Sequence, residues 1–196
     1  MTIASHAGVH PYIQRYQALY DLGLVLGGSL LLALSAQVAI YLPFSPVPIT
    51  AQTLAVLLIG ATLGSRRGAL SVSAYLLEGF SGLPVFAGGQ AGLLYALGPT
   101  GGYLAGFVAA ALVTGELAER GWDRRIATCF LALLAGNVSI YSFGLLWLAR
   151  LIGPDKALAL GLAPFIPGDL VKLGLGMLLL PAAWKLMTIA SARQIE

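Results

Sequence analysis

Three stretches of this chain carry no charged side chain at all: from Asp21 to Arg66, from Glu78 to Glu116 and from Arg125 to Arg150. Each is longer than the roughly 20 apolar residues needed to cross a hydrocarbon core. A soluble protein of 196 residues could bury one such helix, but its other helices would need charged faces to stay in solution. Only 10% of the residues are Asp, Glu, Lys or Arg, against about 25% in an ordinary soluble domain. The chain therefore reads as an all-α membrane protein.

Six hydrophobic segments follow: Leu22 to Leu42, Pro48 to Leu63, Gly68 to Phe80, Gly102 to Leu117, Ile126 to Ile152 and Leu170 to Ile189. The expected organisation is one membrane domain over residues 1–196, with a cytoplasmic or interfacial segment at 1–20 and a six-helix bundle at 21–190. Met1 to Gln17 contains His6, His10, Pro11 and Arg15 rather than a compact apolar run with a small-residue cleavage site, so the first helix is expected to be retained. The second and third segments are short for simple spans. They are expected either to continue into neighbouring neutral loops or to end at a cavity, where irregular backbone is tolerated at membrane depth.

The placement of the basic residues orients the bundle. Arg66 and Arg67 sit in one connector and Arg120, Arg124 and Arg125 in another, whereas 43–48 and 81–100 contain neither Lys nor Arg. Putting both termini in the cytoplasm places these five inside together with Arg15, Lys185 and Arg193. Only Arg150 and Lys156 are then outside, and Lys172 lies within the membrane.

The outer connectors are not ordinary solvated loops. Pro43-Phe44-Ser45-Pro46-Val47-Pro48 cannot be helical throughout, because each proline removes a donor and biases its predecessor toward extended backbone. A stiff lid is expected. Residues 82–92 and 98–103 are glycine-dense yet carry Val85 and Phe86, which suits a re-entrant or ligand-capping segment. On the first helix, Ser29, Ala33 and Ala36 make a small-residue face suited to close helix packing, either within the bundle or against a partner.

Asp169 and Lys172 head the last helix at a spacing that puts both on one face. At the centre of a span each would cost about 2.5–3.5 kcal/mol, so the pair needs a helix end, partners or a polar cavity. The other polar candidates are Gln52, Tyr75, Gln90, Tyr103, Asn137 and Tyr141, the last two sharing a face, and Phe44 offers an aromatic wall. There is no G-x-x-x-x-G-K-[ST] for nucleotide binding and no H-E-x-x-H, and both histidines precede the first helix. An enzyme is not expected, nor a metal, a cofactor or a nucleic-acid partner.

Four motifs resemble the BioY family, the biotin-specific S components of energy-coupling-factor (ECF) transporters. They begin with Pro46-Val47-Pro48-Ile49-Thr50-Ala51-Gln52-Thr53-Leu54 and Gly79-Phe80-Ser81-Gly82-Leu83-Pro84-Val85-Phe86-Ala87-Gly88-Gly89. Gly98-Pro99-Thr100-Gly101-Gly102-Tyr103-Leu104-Ala105-Gly106-Phe107 and Pro164-Phe165-Ile166-Pro167-Gly168-Asp169-Leu170-Val171-Lys172 complete the set. The resemblance implies a six-helix protein of a prokaryotic cytoplasmic membrane. Such a protein captures biotin and works with a transmembrane coupling protein and two ATPase subunits. It also implies that Asp169 and Lys172 contact the ligand. Biotin's ureido ring offers two N–H donors and a carbonyl, which suit a carboxylate and an ammonium. In the reverse pose Lys172 would pair the biotin carboxylate.

Overall fold

Helix α1 (Pro11–Gln37) opens a mostly helical molecule, a computed structural model that describes residues 11–193 and the side chains of 16–186. It is followed by two-residue strands β1 (Ala39–Ile40) and β2 (Ile49–Thr50), then α2 (Gln52–Phe80), α3 (Leu93–Leu97) and α4 (Gly101–Glu119). The rest is α5 (Ile126–Ile152), α6 (Pro154–Gly161) and α7 (Ile166–Arg193). Four of these helices have stretches long and apolar enough to cross a membrane: Tyr16–Gln37, Gly101–Glu119, Ile126–Ile152 and Ile166–Leu186.

The first and last helices start earlier than the hydrophobic pattern suggests. Helix α1 begins at Pro11 rather than Leu22, so residues 11–20 extend the helix, with Tyr16 and Tyr20 exposed on it. Residues 1–10, with His6 and His10, lie outside the described residues, as do the side chains of Arg15 and Arg193. Helix α7 starts at Ile166, which puts Asp169 in its first turn.

The expected second and third segments form one element, broken at Gly64 (φ 82°, ψ 173°). That backbone conformation is open to glycine and strained for other residues. The limbs 52–63 and 65–80 fold back on each other, and a Cβ built on Gly68 would stand 2.9 Å from the Gly60 Cα. Gln52 Nε2 donates to the Tyr75 hydroxyl at 2.7 Å. In a straight helix those residues would be about 35 Å apart at 1.5 Å per residue. Glu119 seals the hinge, its Oε1 accepting from the Ser65 N–H (2.7 Å) and hydroxyl (3.0 Å).

Glycines also bring the central helices close. A Cβ at Gly60 would meet the Ala111 carbonyl oxygen of α4 at 2.7 Å, and one at Gly106 would meet the Ile140 backbone of α5 at 2.9 Å. In lipid, where tails are as apolar as the helices, such close packing is a main source of association. The core runs through Leu57, Val72, Phe107, Leu133 and Ile140, while α1 turns Leu22, Leu26, Leu30 and Leu34 outward.

The bundle has two unlike ends. At one, the Gly64 hinge meets Glu119, Arg67 pairs with Asp21 at 2.7 Å, and Asp123 accepts a hydrogen bond from the Trp184 indole. The Arg124 guanidinium lies 4.9 Å over the Trp184 ring. Arg66, Arg120, Arg125 and Lys185 belong to the same turns and helix ends. The other end carries the proline-rich connector, the glycine-rich segment and α6. There β1 and β2 pair antiparallel, Ala39 with Thr50 and Ile40 with Ile49, making the expected lid a small hairpin. The Ser45 hydroxyl ties it to α6 by donating to the Leu160 carbonyl at 2.8 Å.

Candidate functional site

The charged couple of α7 sits in a network drawn from three helices. Asp169 is 5% exposed. Its Oδ1 is 3.1 Å from Lys172 Nζ, and its Oδ2 accepts from the Tyr141 hydroxyl and, at 3.4 Å, from Asn137 Nδ2. Lys172 also donates to Thr53 Oγ1 of α2 at 2.8 Å. The position of Asp169 in the first turn of α7 adds the favourable field of a helix N-terminus. A buried carboxylate is tolerable only with such partners, because desolvation of an unpaired one costs several kcal/mol. An ammonium has three N–H donors, of which Lys172 spends two here, leaving one toward the space beside it.

That space is a cavity between α2, α4, α5 and α7, partly open to solvent. Lys172, Gln52, Thr53, Tyr103 and Tyr141 supply its polar and aromatic lining, and Val47, Phe107, Ile140 and Phe165 much of the apolar wall. Tyr103 is fixed from outside the cavity by donating to the Gly161 carbonyl at 2.8 Å, and its ring meets Tyr141 edge-on at 6.2 Å. Gln52 is held by its bond to Tyr75, which in turn donates to the Val85 carbonyl at 3.3 Å.

Pro48, Tyr95 and Thr100 line both this cavity and a shallower outer recess walled by Tyr41, Gly88, Gln90 and Gly98. They form the neck between the two. Tyr95 stacks on the fully buried Phe86, ring centroids 5.0 Å apart, and Phe86 also meets Tyr75 edge-on at 5.5 Å. Desolvation by burial raises the Tyr95 hydroxyl above its ordinary value, keeping it neutral at physiological pH. Gln37 fastens the same segment to α1 by donating to the Phe86 carbonyl at 3.3 Å.

The candidates read from sequence thus take different positions. Lys172, Gln52, Tyr103 and Tyr141 line the cavity, while Asp169, Asn137 and Tyr75 stand directly behind it as hydrogen-bond partners. Gln90 is in the outer recess. Phe44 is 59% exposed on the hairpin and does not line the cavity, where Val47 takes the wall position instead. The small-residue face of α1 packs inward: Ala36 is fully buried, Ala33 packs on the core, and the Ser29 hydroxyl lies 2.6 and 2.7 Å from the two Glu78 carboxylate oxygens. Ser29 and Ala36 are thus engaged within the bundle, while Ala33 stays partly exposed. Tyr95, Phe107, Ile140 and Phe165 also line the cavity, and no sequence signal marks them. Three of them are apolar residues within or beside helices, where a wall and a core position look alike.

A profile of the BioY family matches residues 9–189. The chain belongs to the BioY family. Among its relatives, "Biotin transporter BioY" of Rhizobium etli is 41% identical over 155 residues, covering 75% of this chain and 83% of that protein. "Probable biotin transporter BioY" of Pyrococcus horikoshii is 42% identical over 142 residues, covering 72% and 82%. The fold agrees with a solved S-component for biotin from an ECF-type ABC transporter at a TM-score of 0.76 and 26% identity, covering 91% of this chain and 95% of that one. The family and the apolar helices make this a multi-pass membrane protein.

Proposed function

We propose that this chain is the biotin-capture component of an ECF-type uptake transporter and catalyses no reaction itself. Family membership supports the substrate, and the cavity beside Lys172 supports capture within the bundle. The full proposal has six spans, counting the limbs of α2 separately, in a prokaryotic cytoplasmic membrane with both termini in the cytoplasm. The basic end then faces the cytoplasm and the hairpin end faces outward. The absence of a P-loop assigns energy supply to a coupling protein and two ATPase subunits.

Within the cavity, the ureido ring lies toward Asp169 and Lys172, backed by Asn137 and Tyr141, with Gln52 and Tyr103 on the walls and Tyr75 holding Gln52. The valeryl carboxylate points to the neck, toward Thr100 and Gln90. Two charge arguments support this pose. Lys172 has one donor left for a carbonyl, and residues 81–100 offer only neutral donors for a carboxylate.

Binding of radiolabelled biotin to purified protein tests the function: saturable binding is expected, and its absence overturns the reading. Competition with other vitamins checks the substrate, since displacement by one of them at lower concentration than biotin would reassign it. The pose is tested by two analogues. Iminobiotin, altered at the ureido carbonyl, should lose far more affinity than biotinamide, altered at the carboxylate; the opposite order would reverse the ligand.

A further inference from the structure

The basic end holds a second recess, between α1 and the Gly64 hinge, with about 970 Å³ of open space. Ala18, Val25, Leu63 and Leu70 give it an apolar wall, and Asp21, Arg66, Arg67 and Glu119 rim it. The four charges are not equivalent. Asp21 and Arg67 pair at 2.7 Å and largely cancel. Arg66 makes no ion pair or hydrogen bond among the described residues. Glu119 makes no ion pair among the described residues either: its Oε1 accepts from the Ser65 N–H and hydroxyl, and its Oε2 accepts no hydrogen bond from a described residue.

The recess therefore presents one positive and one negative charge that are not paired with each other, above an apolar wall. An anionic headgroup would satisfy Arg66 and meet repulsion from Glu119. A zwitterion satisfies both. A primary ammonium fits the free carboxylate oxygen better than a quaternary one, because only the former donates hydrogen bonds. Guanidinium in turn suits a phosphate, which it can hold bidentately.

The geometry points to a binding site for one phosphatidylethanolamine molecule, its phosphate on Arg66, its ammonium on Glu119 and an acyl chain along Ala18, Val25, Leu63 and Leu70. This rests on the membrane-spanning reading with the basic end at a bilayer surface, and on nothing in the biotin cavity. Basic recesses between helices are recurrent headgroup sites, and the added acid here sets the class of lipid.

The test is native mass spectrometry of full-length protein equilibrated with equal amounts of phosphatidylethanolamine, phosphatidylcholine and phosphatidylglycerol. One retained phosphatidylethanolamine is expected, at least five-fold over either competitor. R66Q and E119Q should each lower that retention at least five-fold while biotin binding stays at the wild-type level. Glutamine at 119 keeps an acceptor for Ser65, so the hinge stays sealed. Equal retention of phosphatidylethanolamine and phosphatidylglycerol overturns the site, as does unchanged retention in both variants or an equal loss of all three lipids. Failure of biotin binding in the wild-type protein would bear on the cavity alone.

Discussion

Two ion pairs in this molecule share their chemistry and differ in everything else. Lys172 and Asp169 have side chains 16% and 7% exposed, with Thr53, Tyr141 and Asn137 completing the network. Arg67 and Asp21 are 43% and 46% exposed at the basic end. In the second pair solvent screening takes most of the Coulomb energy, and side-chain entropy much of the rest. In the first, desolvation is the large term, and the pair is tolerable only because both charged groups are hydrogen-bonded. Location decides which pair can be a site.

The comparison can be broken by mutation. Asp169→Asn should have the largest effect: it leaves a buried ammonium without its counter-charge, a loss of about 3–5 kcal/mol for a buried pair. Biotin affinity should fall at least about 100-fold, read by equilibrium binding, with a lower Tm; wild-type affinity would make the pair purely structural. The double variant Asp169→Leu with Lys172→Met sharpens the point, since replacing a buried pair by apolar side chains is often neutral or stabilising. It should recover the Tm lost by Asp169→Asn yet bind no biotin, separating folding from recognition.

Smaller changes grade the network. Tyr141→Phe removes one hydrogen bond to a charged acceptor, worth about 1.5–3 kcal/mol, and should weaken biotin about ten-fold or more by calorimetry. Asp21→Asn should cost less than about 1 kcal/mol and leave affinity unchanged. A drop in affinity there comparable to that of Tyr141→Phe would mean the two ends of the bundle are coupled.

Much of this arrangement was legible in the sequence, and the failures have physical causes. The charge-free stretches located the apolar helices, and the Asp169 and Lys172 spacing located the network, because charge in a bilayer is too costly to be placed idly. Asn137 and Tyr141 were legible as sharing a face, but not as facing Asp169, since a face is a local property and its partner is not. The hinge was hidden because Gly64 precedes Ser65-Arg66-Arg67, a string that reads as an ordinary polar connector. Small residues pack equally well against an internal helix and a foreign one, so Ala36 and Ser29 could not declare themselves. Phe44 is the aromatic of the proline-rich connector, yet the hairpin turns it outward and Val47 inward.

The burial of Phe86 has a consequence for the exposed mouth of the protein. A segment containing Gly82, Gly88, Gly89 and Gly92 would ordinarily be the first part of a surface to open. Here Phe86 sits fully inside the bundle, its N–H donates to the Gln90 carbonyl at 3.0 Å, and the Gly92 N–H donates to Gly79 at 2.8 Å. Its amides should exchange with deuterium at rates nearer those of the helices than of a loop, and an external protease would find little extended chain there to cut. This end of the bundle thereby presents glycine-rich backbone without presenting a weak point.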